Sequence, residues 1–213
     1  MIKNRGKFIV LDGPDGSGKG EVVKRLSCYL FDKSKANNIL LTREPYDLEY
    51  SAKIREMLAT IKKPEDKARV FVDFYAVKDR GQKHVPWIEK ELAQGHHVVC
   101  DRYKYATLAY QQAQGISFEE LMAIHRGMPI PDIAIIIDVP VEVGLERRAK
   151  DSGLRDNNDA FEKKEFIEFQ EKVRQNYLKL PVQIGNEYIV VIDGNRPKEK
   201  VFEAVRQEVD KIF

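Results

Sequence analysis

Five short apolar runs recur along the 213-residue chain, and segments of helical spacing separate them. They are Phe8–Asp12, Asn38–Thr42, His97–Asp101, Asp132–Asp138 and Tyr188–Asp193. None alternates apolar with polar positions, as expected of strands buried on both faces. Four end in aspartate, at Asp12, Asp101, Asp138 and Asp193. In an open parallel sheet the carboxyl edge is where ligands bind, so these carboxylates are expected to share one edge. Val22, Val23, Leu26 and Leu30 recur at helical spacing after the first run. Val85, Ile88 and Leu92 make another apolar face, with Gly95 as its stop. Ser117 and Glu120 form a capping box ahead of Leu121–Gly127. Ala160–Pro181 reads as a long amphipathic helix ended by Pro181, and Pro197–Phe213 as a closing one. Strand–helix alternation predicts a doubly wound α/β fold with a five-stranded parallel sheet. No repeat, low-complexity tract or linker interrupts it, so residues 1–213 read as one domain.

Composition changes this picture little. A net charge of +2 gives no case for nucleic acid or another polyanionic polymer as partner. No run approaches the roughly 20 apolar residues that a spanning helix needs, and residues 1–13 do not read as a leader. A cytoplasmic location without membrane contact is the expectation. Cys28 and Cys100 are expected to be reduced and largely buried, and no metal-ligand spacing surrounds them. Residues 147–161 differ from the rest. They are polar and charged, and they suit either a solvated connection or a lid.

The chemistry starts at Gly13–Lys19, where Gly-x-x-x-x-Gly-Lys follows a strand and opens a helix. Gly13, Gly16 and Gly18 allow backbone N–H groups, including those of Asp15, Ser17 and Gly20, to approach phosphate oxygens. The helix N-terminus adds partial positive charge, and Lys19 adds a point charge for the β- and γ-phosphates. A Ser or Thr that ligates Mg²⁺ normally follows the lysine, but here Gly20 and then Glu21 stand there. Three accounts stay open. Phosphates and water hold the metal, Glu21 or Asp101 holds the metal's waters, or turnover has been lost.

Four stretches name the second substrate. They are TREP (Thr42–Pro45), DRYKYATLAYQ (Asp101–Gln111), PDIAIIIDVPVEVGLERR (Pro131–Arg148) and VIDG (Val191–Gly194). With DGPDGSGKG, their order and spacing resemble the thymidylate kinase family from about Phe8 to Gly194. The resemblance implies ATP-dependent conversion of dTMP to dTDP, Mg²⁺ as cofactor and a homodimer. It puts Arg43 and Arg102 near the acceptor phosphate. Both types of contact suit the arginine fork. Pairing of Arg43 with Glu44, or of Arg102 with Asp101, is the structural alternative. Asp15 would accept the 3′-hydroxyl of the acceptor sugar, or shape the loop as an Asx turn. Thr107, Tyr110 and Gln111 match positions that contact base or sugar, with Tyr110 placed to favour deoxyribose. Arg80 would meet the base edge. The aromatic that stacks on the base normally stands four residues before that arginine, where this chain has Ala76, so Tyr75 is taken in a shifted or bulged register. The step from Arg80 to His84 is also one residue longer than usual, and Ala106 replaces a frequent serine. Arg147 and Arg155 would clamp the transferring group from the lid, while Asp101 orients metal-bound water or Arg102. Another nucleotide or nucleoside kinase, or a homologue that binds without turnover, is the competing reading.

Overall fold

A computed structural model describes residues 5–61, 64–152 and 160–213. Its centre is a five-stranded sheet, all parallel, of β1 (Phe8–Asp12), β2 (Ile39–Arg43), β3 (His97–Asp101), β4 (Ile133–Asp138) and β5 (Ile189–Asp193). The order is β2-β3-β1-β4-β5. Successive side chains of a strand leave on opposite faces, and both faces are apolar here. Ile9, Leu11, Val99, Ile133, Ile135 and Ile137 pack on α1 (Lys19–Lys33) and α9 (Lys198–Asp210). Phe8, Val10, Val98, Cys100, Ala134 and Ile136 face the other layer. That layer holds α4 (Val85–Ala93), α5 (Lys104–Ala113), α6 (Phe118–Ile124) and α8 (Ala160–Gln183). Each fully buried aliphatic side chain stabilises by about 1.5–3 kcal/mol, so the two-faced sheet holds the domain together.

The edge strands depart from the expectation of two buried faces. β1 is buried throughout, whereas β2 and β5 include exposed positions such as Leu41 and Val191. An apolar run does not encode its place in the sheet order, and these two lie at the ends. Two helix signals also read differently. Pro181 stands inside α8, which continues to Gln183. The Glu120 N–H donates to Ser117 Oγ at 3.2 Å, but the Glu120 carboxylate pairs with Arg69 rather than closing the capping box. Cys100 is buried, but Cys28 is exposed on α1.

Between β2 and β3 run α2 (Leu48–Thr60), α3 (Pro64–Phe71) and a π-helical segment, Val72–His84, that leads into α4. The i→i+5 bonding of a π-turn takes in an extra residue without breaking the helix. The register shift around Tyr75 and the longer step from Arg80 to His84 both fall inside it. Remaining to be placed is α7 (Val141–Ser152), which follows β4 and takes up the start of the predicted lid segment. No helix of the described residues is long and apolar enough to cross a membrane.

Candidate phosphate and acceptor site

The glycine loop joins β1 to α1 at the carboxyl edge. Gly16 sits at φ +75° against α7, and a Cβ there would collide with the Gly144 carbonyl. Gly18, at φ 86°, is the N-cap of α1, and its carbonyl accepts from the Glu21 and Val22 N–H groups. Lys19 folds back into the loop, where its Nζ donates to the carbonyls of Gly13 and Pro14 at 3.1 Å each. Burial, and then the Arg102 charge, lower the Lys19 pKa to about 8, although Asp12, Asp15 and Asp101 pull the other way. Gly20 lies in the first turn of α1 with open space where a Cβ would project, and Glu21 beside it is exposed.

Arg102 follows β3 at φ 72°, a conformation that costs a non-glycine residue about 1–3 kcal/mol. Its N–H donates to the Leu11 carbonyl at 2.9 Å, and the next N–H, of Tyr103, donates to Asp12 Oδ2 at 3.1 Å. The turn carries the guanidinium to the glycine loop, where it pairs with Asp15 rather than Asp101. Arg148 Nη1 stands 3.9 Å from the other Asp15 oxygen. Burial raises the Asp15 pKa, but Arg102, Lys19 and Arg148 outweigh it and hold the carboxyl below its ordinary range. Asp101 keeps a buried Oδ1 without a hydrogen-bond partner, as does the Ser17 hydroxyl. The Tyr110 hydroxyl is buried close to the Asp15 backbone without a well-formed hydrogen bond, and the Tyr110 ring lies 5.8 Å from the Arg102 guanidinium.

The carboxylates at the strand ends have unequal roles. Asp12 is fully buried and accepts from Gly13 N, Tyr103 N, Ala106 N and Tyr177 Oη. Asp138 forms a two-pronged ion pair with Arg174 of α8, at 2.8 and 2.9 Å. Both serve the scaffold. Arg147 turns away from the loop, with Nη2 donating to the Gly194 carbonyl at 3.1 Å. Of the adjacent arginines it is therefore Arg148 that faces Asp15. Arg155 lies outside the described residues.

Arg80 is buried, and its guanidinium meets Glu44, Thr107 Oγ1, the Tyr103 carbonyl and His125 Nε2. Glu44 therefore pairs with Arg80 and with His84 Nδ1, at 3.1 Å, rather than with Arg43. The carboxylate of Asp79 accepts from the N–H groups of Tyr46 and Asp47 at 2.7 Å each, and Lys83 pairs with Asp47. His84 Nε2 lies 3.0 Å from Thr42 Oγ1. Residues 79–84 of the π-helical segment thus grip residues 42–47 and leave Arg43 exposed at the end of β2. Among the described residues Arg43 makes no ion pair. Tyr75 stacks on Phe71 with centroids 5.1 Å apart, and Gln111 donates to Gln114, the C-cap of α5. Glu44, His84, Asp79 and His125 are not legible as a group in the sequence. The only local signal was the irregular spacing between Tyr75 and His84.

A sequence profile of the family described as "Thymidylate kinase" matches residues 11–205. A "Probable thymidylate kinase" from Pyrococcus abyssi is 41% identical over 83% of this chain and 83% of its own length. A "Thymidylate kinase" from Clostridium novyi is 36% identical over 95% of this chain and 98% of its own. One from Bacillus cereus is 33% identical over 97% and 98%.

Proposed function

The chain belongs to the thymidylate kinase family, and from that premise we propose that it transfers the γ-phosphoryl group of ATP to dTMP, giving dTDP and ADP. The observation that carries the reading is the cluster at the glycine loop, where Lys19, Arg102, Arg148 and Asp15 meet at a strand-to-helix turn. That cluster offers cations for two polyanions and one carboxylate for a sugar hydroxyl.

The N–H groups of Asp15, Gly16, Gly18, Lys19 and Gly20 hold the ATP phosphates, those of Gly13, Ser17 and Glu21 being spent on Asp12 Oδ1 and on the Pro14 and Gly18 carbonyls, and Lys19 exchanges two carbonyls for phosphate oxygens. The acceptor phosphate takes the Arg102 guanidinium from Asp15, and Arg43 comes to it from the adjacent end of β2. The freed Asp15 carboxylate accepts the 3′-hydroxyl. Thr107, Arg80 and Gln111 face the base side, Tyr75 is the aromatic nearest the base, and Tyr110 crowds the 2′ position. An acceptor phosphate oxygen attacks the γ-phosphorus in line, forming one P–O bond as the bond to the bridging oxygen breaks. The electron pair leaves with ADP. The attacking oxygen is already anionic near neutral pH, so no side chain has to remove a proton. Lys19, Arg102, Arg148 and Arg155 neutralise charge as it develops.

The donor set fits Mg²⁺ held through phosphates and water. Among the described residues no cluster of three or more metal-ligating side chains exists, and Asp101 Oδ1 is a buried acceptor left free to orient a metal-bound water. The ion supplies neutralisation of the β- and γ-phosphate charge. We further propose one domain over residues 1–213, a homodimer and a cytoplasmic location in keeping with soluble nucleotide substrates. Sedimentation at micromolar concentration tests the dimer. For the activity, purified protein with ATP and Mg²⁺ is offered dTMP, dUMP and CMP separately at one concentration. Most rapid ADP formation with dTMP is expected. No ADP above background with dTMP would overturn the reading, and faster turnover of an acceptor without the 5-methyl group would reassign the substrate.

A further inference from the structure

His125 lies at the C-terminal end of α6, with no part in the resemblance that frames the rest of the site. It is buried, and its two ring nitrogens meet different partners. Nδ1 is 2.6 Å from the Leu121 carbonyl. A carbonyl oxygen can only accept, so Nδ1 carries the hydrogen. In the neutral ring Nε2 is then a bare acceptor, and Arg80 Nη1 donates to it at 2.7 Å. The other end of the guanidinium is held by Glu44 through Nε and Nη2. Thr107 Oγ1 lies between, accepting from Nη1 and Nη2 at 3.1 Å each.

We propose that His125 is a positioning residue for the acceptor nucleotide, which acts by fixing the Nη1 end of Arg80 and, through it, the hydroxyl of Thr107. Glu44 holds only the Nε and Nη2 edge, and without His125 the Nη1 end would rest on Thr107 Oγ1 alone. With His125 in place, acceptors from the loop after β2, from the start of α5 and from the end of α6 hold it on all sides. Thr107 accepts twice from Arg80, which leaves its own O–H to donate elsewhere. The ring stays neutral for this purpose, because burial, and then the Arg80 charge, lower its pKa to about 3.

The proposal rests on the dTMP reading above, and the experiment separates the two. Steady-state constants for dTMP and ATP are measured in wild type, His125→Leu and His125→Gln. Gln can present its Oε1 near the Nε2 position, whereas Leu keeps bulk but offers no acceptor. Losing one hydrogen bond to a charged group raises KM for dTMP roughly ten- to a hundredfold in the Leu variant, and leaves KM for ATP within about twofold. The Gln variant recovers most of the loss. Equal effects of Leu and Gln, an equal rise in both KM values, or no change in KM for dTMP would overturn the proposal. Wild type inactive on dTMP would instead sink the substrate reading. Should the Leu variant not fold, ¹⁵N NMR of the wild-type imidazoles still decides. An Nδ1–H ring that does not titrate between about pH 5 and 8 is expected, and an Nε2–H tautomer or a titrating ring would overturn the proposal.

Discussion

Glu44→Gln tests how the acceptor side is braced. The Glu44 carboxylate is 7% exposed and faces Arg80, which is 4% exposed. It accepts from Arg80 Nε at 2.7 and 2.8 Å, from Arg80 Nη2 and from His84 Nδ1. An amide of the same shape keeps one acceptor and turns an NH₂ group toward guanidinium donors. The Arg80 charge is then buried without its counter-ion. Breaking a buried pair in this way costs about 3–5 kcal/mol. Total stability in domains is about 5–15 kcal/mol, so this is a large fraction. For 150–250 residues each kcal/mol moves Tm by about 2–4 °C, which gives a fall of roughly 6–20 °C at pH 7. Calorimetric melts of wild type and variant, without nucleotide, read it directly. A fall under about 3 °C would refute the brace, since a solvated pair is worth only about 0–1 kcal/mol.

The pH dependence gives a second readout of the same variant. Burial raises the Glu44 pKa, but Arg80 and His84 outweigh it, and the folded value lies below the ordinary 4.5. A carboxylate with a depressed folded pKa contributes stability that is present above its unfolded pKa. The contribution is lost as pH falls through the folded value. Wild type should therefore lose Tm steeply below about pH 4.5, and Glu44→Gln should have a shallower acid limb. A double-mutant cycle with Arg80→Met should give a coupling at the upper end of about 0.5–3 kcal/mol.

Gly20→Ser places a hydroxyl where a Cβ meets nothing within 4 Å, and it gains about 0.3–0.5 kcal/mol of helix propensity. It should lower the Mg²⁺ concentration that half-saturates ADP binding in calorimetry, and an unchanged midpoint would refute the reading that Mg²⁺ is held through phosphates and water for want of a hydroxyl after Lys19. Nucleotide phosphates should raise the Lys19 pKa from about 8, so binding near pH 9 should take up a proton and weaken as pH rises further. Calorimetry in two buffers of different ionisation heat measures this, and Lys19→Met should show no uptake. Asp15→Asn should weaken dTMP by roughly tenfold while leaving its 3′-deoxy analogue nearly unaffected, since only the former offers the hydroxyl. Equal losses for both nucleotides would count against the sugar contact.

The parts of this molecule that rest on neighbours in sequence were legible in it. The apolar runs named all five strands to within a residue, because buried parallel strands need continuous apolar sequence. The glycine loop was legible for a similar reason, since its strand, turn and helix are contiguous. Burial at β2 and β5 was not legible, because edge position follows from the strand order. Arg80 shows the limit most clearly. Its partners Glu44, Thr107 and His125 are 36, 27 and 45 residues away, and only the fold brings them together. Arg147 and Arg148 were inseparable in sequence, and one step of helix rotation sends the first to Gly194 and the second toward Asp15.

Three cations at the glycine loop already have partners within the fold, and this bears on how the site meets two polyanions. Lys19 bonds loop carbonyls, Arg102 bonds Asp15, and Arg148 stands beside the same carboxylate. A phosphate that enters does not have to draw the Lys19 ammonium out of bulk water, because the fold has already buried it. At Lys19 it replaces two carbonyls, and at Arg102 a carboxylate, by phosphate oxygens. The exchange is linked at Asp15. While Arg102 holds that carboxylate, no sugar hydroxyl can claim it fully. In the proposed reading an acceptor phosphate takes Arg102 and releases the carboxylate to the 3′-hydroxyl of that same nucleotide. One ion pair would then couple the two ends of the acceptor. On that reading a free phosphate or a nucleoside would satisfy only half of the exchange, and the full nucleoside monophosphate both halves.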